Sequence, residues 1–201
     1  MAHTIFVITG FKFSATAASK EYEPLRKMLT GKGYKVVPVD INWRRKTVSQ
    51  FSDEFIDIYR ANKTEHNTVL GNSFGAMVVF VTAPVLNPNI VIIGSLSPFF
   101  KEDLSSFSGK ELLRRFGKGR IKDFKILSAT DIANKINGLN IDVEFVYGEK
   151  ETTTLPELMH RVRDSAKRTN KSKLHELKNA PHSMRRSAYI DGLSKTIKNV
   201  K

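Results

Sequence analysis

Six strand-like runs, separated by segments of helical period, restrict what this chain can fold into. The runs are Thr4-Ile5-Phe6-Val7-Ile8-Thr9, Tyr34–Asp40, Thr68–Leu70, Asn89–Leu96, Ile141–Gly148 and the shorter, more polar Lys173–Leu177. Several are apolar without alternation, the pattern of strands covered on both faces. Between them, residues 19–31, 47–61, 76–86, 156–166 and 186–200 carry apolar side chains at helical spacing. Residues 101–137 are charged and weakly periodic, with one short helix expected around 109–116. Strand and helix in alternation predict a three-layer α/β/α sandwich on an open, mostly parallel sheet. In such a sheet the functional loops follow the carboxyl ends of strands. Here those are the loops after Thr9, Leu70, Ser95, Tyr147 and Leu177.

One of these loops is Gly71-Asn72-Ser73-Phe74-Gly75, a G-x-S-x-G between a strand-like run and a helical one. A strand that turns sharply into a helix crowds the positions flanking the serine, so glycine is needed there. The serine is forced into an unfavourable backbone conformation that lifts its hydroxyl above the sheet edge.

A serine hydroxyl becomes a nucleophile only when a base takes its proton and a third group holds that base. Among five histidines, His3 precedes the first strand and His66 lies at the opposite end of the sheet from the turn. His160 falls in a helical run and His175 in a short strand. His182, in Asn179-Ala180-Pro181-His182-Ser183-Met184, stands past the carboxyl end of a strand and after the serine. It is the candidate base. The acid is expected in the loop Gly148-Glu149-Lys150-Glu151, where Glu151 has cleared the strand end; Glu149 and Asp131 are the alternatives. Two backbone N–H groups are needed for the oxyanion. Phe74 supplies one, at the start of a helix, and the loop after the first strand the other, with Phe11 favoured and Lys12 equally close. Lys12, Phe13, Phe99, Phe100 and Met184 are candidates for lining the substrate pocket, although some of the aromatics could equally fill the core.

Composition narrows the chemistry further. With 201 residues, the chain fits one domain with a sizeable core. Absence of cysteine excludes disulfides, thiolate metal sites and cysteine nucleophiles. Neither a signal peptide nor a membrane span is readable, so a cytoplasmic location is the default expectation. The net charge of +13 fits a solvated basic surface or an electrostatic footprint for an anionic partner. No nucleic-acid motif with interleaved aromatics accompanies it.

In these features the chain resembles the α/β-hydrolase family, in particular its small, compact bacterial members. The likeness covers the Gly10-Phe11 loop, the Gly71–Gly75 turn, the Gly148–Glu151 loop and the Pro181-His182 loop, in family order. It implies Ser73 as nucleophile, Glu151 as acid, His182 as base, and Phe11 and Phe74 as oxyanion donors. By the same resemblance, residues 98–137 stand for a short basic lid on a single domain spanning residues 1–201. No cofactor or metal is implied, and the partner is a small-molecule acyl substrate, an ester or thioester. The chain departs from the family pattern in Thr9-Gly10, where many members have His-Gly, and in a glutamate where aspartate is commoner. The competing expectation is a non-catalytic member of the fold whose basic surface binds an acidic partner or nucleic acid. A third reading gives Lys12, Arg44, Arg45 and the lid lysines a preference for substrates bearing carboxylate or phosphate.

Overall fold

A computed structural model describes residues 2–10, 22–39, 41, 43–44, 46–151, 154–165, 172–184 and 186–198. Six strands form one sheet: β1 (His3–Ile8), β2 (Lys35–Val39), β3 (His66–Asn72), β4 (Ile90–Gly94), β5 (Asp142–Gly148) and β6 (Ser172–Leu177). Their order is β2-β1-β3-β4-β5-β6, and all five pairings are parallel. The chain reverses its direction of travel across the sheet between β1 and β3, so the carboxyl ends of those two strands open a crevice. Pro38, which has no N–H for a ladder, lies in the edge strand β2.

Seven α-helices lie among the described residues: α1 (Glu23–Gly31), α2 (Val48–Asn62), α3 (Phe74–Leu86), α4 (Gly109–Ile126), α5 (Ala129–Ile136), α6 (Thr154–Ser165) and α7 (Ser187–Lys198). Helices α2, α3, α5 and α6 contribute to one core with the sheet, in which Phe55, Phe80, Phe100 and Phe145 are fully buried. Helices α1 and α7 build the other, around Leu25, Leu29, Tyr189 and Leu193. Each such aliphatic or aromatic side chain contributes about 1.5–3 kcal/mol by leaving water. Helix α3 is buried along almost its whole length, which is why its sequence is apolar on every face.

The connection from β4 to β5 is more helical than its sequence pattern predicts. Helix α4 continues ten residues beyond the expected short helix at 109–116, past a kink at Gly117 (φ 76°), and α5 follows it. Two polar residues that obscure the periodicity have tertiary partners. The Asp123 carboxylate accepts from Val48 N–H and Ser49 N–H at the start of α2, at 2.8 and 3.2 Å. Arg120 donates to the carbonyls of Trp43 and Lys46. Carboxylates are favoured at helix amino ends, and a buried charge is tolerated only when its bonds are satisfied. These contacts clamp the second half of α4 to α2. Helix α5 buries Ile132, Ala133 and Ile136 in the core.

Candidate active site

The turn after β3 shows why its glycines are needed. A Cβ on Gly71 would stand 2.3 Å from the Gly75 carbonyl oxygen, and one on Gly75 would stand 2.4 Å from that of Ile8. Ser73 between them has φ 56° and ψ −117°, a region that costs a non-glycine residue about 1–3 kcal/mol. The surroundings hold it there. Ser73 N–H donates to the Gly94 carbonyl at 2.9 Å, and the Ser73 carbonyl accepts from Met77 N–H at 3.2 Å. Ser73 thus caps α3, and Phe74 N–H belongs to the amino-terminal turn, where the helix dipole favours negative charge.

The loops after β5 and β6 meet back to back. A Cβ on Gly148 would lie 2.2 Å from the Ala180 carbonyl, an approach only glycine permits. Lys150 N–H donates to that same carbonyl at 3.0 Å, and Glu149 N–H to the Leu177 carbonyl at 3.0 Å. The three carboxylates considered from the sequence separate clearly. Glu149 accepts from Asn179 N–H at 2.7 Å, bracing the histidine loop. Asp131 pairs with Lys101 at 3.2 Å on the surface of α5. Glu151 turns inward: its side chain is fully buried, and Oε2 lies 2.8 Å from His182 Nδ1. Its Oε1 accepts from Ser95 O–H at 2.6 Å and Gly148 N–H at 2.7 Å. These three bonds offset the cost of burying the carboxylate. His182 remains half exposed, at 45% of its side-chain surface. The other histidines face elsewhere: His3 toward Thr68, and His175 onto the buried Glu144.

The carboxyl end of β4 links these groups. Gly94 receives the Ser73 N–H, and Ser95 binds Glu151. Ser97 Oγ lies 3.0 Å from Ser73 Oγ, the hydrogen bond that the Ser73 hydroxyl makes among the described residues. Ser95 has φ 47°, is fully buried, and also lies 2.7 Å from the Tyr189 hydroxyl of α7. Burial pushes that hydroxyl well above the usual tyrosine range. Met184, two residues after His182, packs its terminal methyl where a Gly94 Cβ would stand, 2.8 Å away. Ser95, Ser97 and Tyr189 were not singled out from the sequence. The only signal was positional: Ser95 ends a buried apolar run, where a functional loop was expected.

Phe11, Lys12, Phe13 and Arg45 lie outside the described residues. Their neighbour Gly10 runs directly over the serine, its Cβ position 3.2 Å from Ser73 Cβ. Gly10 N–H donates to the Tyr22 hydroxyl at 3.2 Å. Phe99 is buried in an aromatic cluster, stacked on Phe74 and Phe124 at centroid distances of 5.3 and 5.4 Å. Phe100 and Met184, like Phe99, are buried. Phe100 is wholly buried against Phe80, and Met184 lies beneath the histidine loop. Phe100 belongs to one buried core and Met184 to the other. Among the described residues, no three His, Asp or Glu side chains converge as a metal site, and no helix is long and apolar enough to cross a membrane.

No protein-family model matches the sequence, and no curated protein matches it. Solved structures do. Est1E from Butyrivibrio proteoclasticus superposes with a TM-score of 0.77 at 14% identity, over 98% of this chain and 86% of that one. A structure from a study of carboxylesterases of the thaumarchaeon Nitrososphaera gargenis gives 0.72 at 12% identity, covering 99% and 91%. The thioesterase domain from the curacin biosynthetic pathway gives 0.67 at 15% identity, covering 98% and 91%. The chain has the α/β-hydrolase fold. Within that α/β-hydrolase scaffold, the serine turn, the buried glutamate and the histidine loop all stand at the carboxyl edge of the sheet, after β3, β5 and β6.

Proposed function

We propose that this α/β-hydrolase-fold protein is a serine hydrolase that cleaves a carboxylic ester or thioester through an acyl-enzyme on Ser73. One observation carries the reading: a fully buried glutamate bonded to His182 Nδ1, at the same sheet edge as a serine held at φ 56°. Glu151 accepts the Nδ1 proton, so the other ring nitrogen, Nε2, keeps its lone pair and can act as a base. Ser73 Oγ turns from Ser97 toward that nitrogen, a rotamer change on the picosecond-to-nanosecond scale for a side chain that is not fully buried. The oxygen then bonds to the acyl carbon while its proton passes to His182 Nε2, and the carbonyl π pair moves onto oxygen. Phe74 N–H and an N–H of the loop after β1, with Phe11 first in line, hold the resulting oxyanion. Collapse breaks the bond to the alcohol or thiol, which leaves with the proton from His182. Water then repeats the sequence on the acyl-enzyme and returns Ser73 with its proton.

The ester and thioester preference draws on structural neighbours that include carboxylesterases and a thioesterase. A fluorophosphonate probe tests the reading. Wild-type protein should be labelled on Ser73 and Ser73→Ala should not. An unlabelled wild type, folded and monodisperse, would overturn it.

A further inference from the structure

We infer that helix α4 forms a binding groove for a single-chain anionic amphiphile, such as a fatty carboxylate, separate from the crevice at Ser73. The kink at Gly117 divides α4 into halves that face a common hollow of about 440 Å³, within the usual range for small-ligand sites. Leu112 and Leu113 from the first half, Ile121 from the second and Phe107 from the preceding turn make the apolar surface. Lys118, Lys122 and Lys125 complete the lining, spaced along one face of the second half. No carboxylate lines the groove, and none of the three lysines forms an ion pair with a described carboxylate.

That combination selects a ligand. An apolar trough binds an alkyl chain, and three ammonium groups that no described carboxylate pairs favour a carboxylate or phosphate head beside it. The larger groove between β6 and α7, about 570 Å³, mixes Glu176 and Asp191 with Lys178 and Lys195 and so favours neither charge. Leu112, 6% exposed, and the part-buried Phe107 form a recess that admits a single chain, while Leu113 and Ile126 on the same helix project, at 44% and 73% exposed. The recess fits one alkyl chain, and the vesicle arm of the test below separates that from adsorption to a bilayer through the projecting side chains. Phe107 packs on Phe99 at 5.3 Å, and Phe99 on Phe74, so two aromatic rings separate the groove from the residue after Ser73. Occupancy therefore does not depend on whether Ser73 turns over.

Calorimetric titration of the full chain with decanoate, below its micelle concentration, tests the inference. Wild type and Ser73→Ala should bind one decanoate alike, and decan-1-ol should bind about tenfold more weakly. The triple variant Lys118→Gln/Lys122→Gln/Lys125→Gln should lose about tenfold in decanoate affinity with thermal unfolding unchanged. Leu113→Glu, at a position 44% exposed and so tolerant of change, should abolish binding. Failure of wild type to bind decanoate saturably would overturn the inference. So would undiminished binding by the lysine variant, or binding to phosphatidylglycerol vesicles without binding to monomeric decanoate.

Discussion

Replacing Glu151 by glutamine changes one atom and tests the proposed triad most directly. In the native site, Oε1 receives two donors, Ser95 O–H at 2.6 Å and Gly148 N–H at 2.7 Å, while Oε2 faces His182 Nδ1 at 2.8 Å. The glutamine carbonyl must take the Oε1 position. The reverse orientation sets the amide NH₂ against the Gly148 N–H and leaves a buried donor unmade, at about 1–3 kcal/mol. The NH₂ group therefore points at Nδ1, which must accept, and the proton moves to Nε2. The base is then in the wrong tautomer. An equivalent change in a triad of this kind costs about 10⁴ in kcat, or about 5 kcal/mol of barrier. The assay is p-nitrophenyl acetate hydrolysis by purified wild type, Glu151→Gln and Asp131→Asn, with circular dichroism to confirm folding. Asp131, a surface residue paired with Lys101, serves as the control and should leave kcat within about twofold. A folded Glu151→Gln protein keeping more than about a tenth of wild-type kcat would refute the argument from hydrogen-bond geometry.

Three further outcomes are expected. Ser97→Ala should speed fluorophosphonate labelling about fivefold, because a hydroxyl bond worth about 1 kcal/mol holds Ser73 Oγ in its resting direction; slower labelling would instead assign Ser97 a supporting role. Gly148→Ala drives a methyl group into the Ala180 carbonyl at 2.2 Å and should displace the histidine loop, cutting kcat at least about a hundredfold. Gly138→Ala, whose Cβ would have 3.7 Å to its nearest neighbour, should not. Tyr189 keeps its proton in the folded state beyond the pH at which an unfolded tyrosine releases it, near 10. Its contribution is thus complete below about pH 10 and declines above it. Urea midpoints should fall as the pH rises above about 10 in wild type and show a shallower fall in Tyr189→Phe.

The elements with strong periodicity were legible from the sequence, because burial on two faces or one stripe leaves a pattern that composition alone does not. Thus Ile5–Ile8 in β1 and Ile90–Ile93 in β4 are continuous apolar runs, and α2 carries Phe51, Phe55 and Tyr59 on one buried face. The second half of α4 and the whole of α5 were not. Gly117 and Gly119 interrupt the helical signal, and Asp123 and Arg120 look like solvent residues until α2 and Trp43 are set beside them. That Glu151 and His182 stand at one edge of the sheet could be anticipated, since both follow the carboxyl ends of strands in a mostly parallel sheet. Ser95, Ser97 and Tyr189 could not. A hydroxyl carries no sequence signal of its partner, and Tyr189 reads as an ordinary apolar helix position. The burial of Phe99, Phe100 and Met184 was no more legible, because an apolar residue near a site looks the same in sequence whether it is exposed or buried.

The bond from Tyr189 to Ser95, and from Ser95 to Glu151, has a consequence for biosynthesis. The serine turn and the four strands β1 to β4 are made first, yet Glu151, His182 and the helix whose Tyr189 reaches Ser95 all lie in the later part of the chain. A ribosome-bound chain that has emerged through β4 can present Ser73 with no histidine beside it. Under the proposed triad, Ser73 gains its base only after the last two strands and the loop that follows them have been made, so the order of synthesis would itself delay a reactive serine.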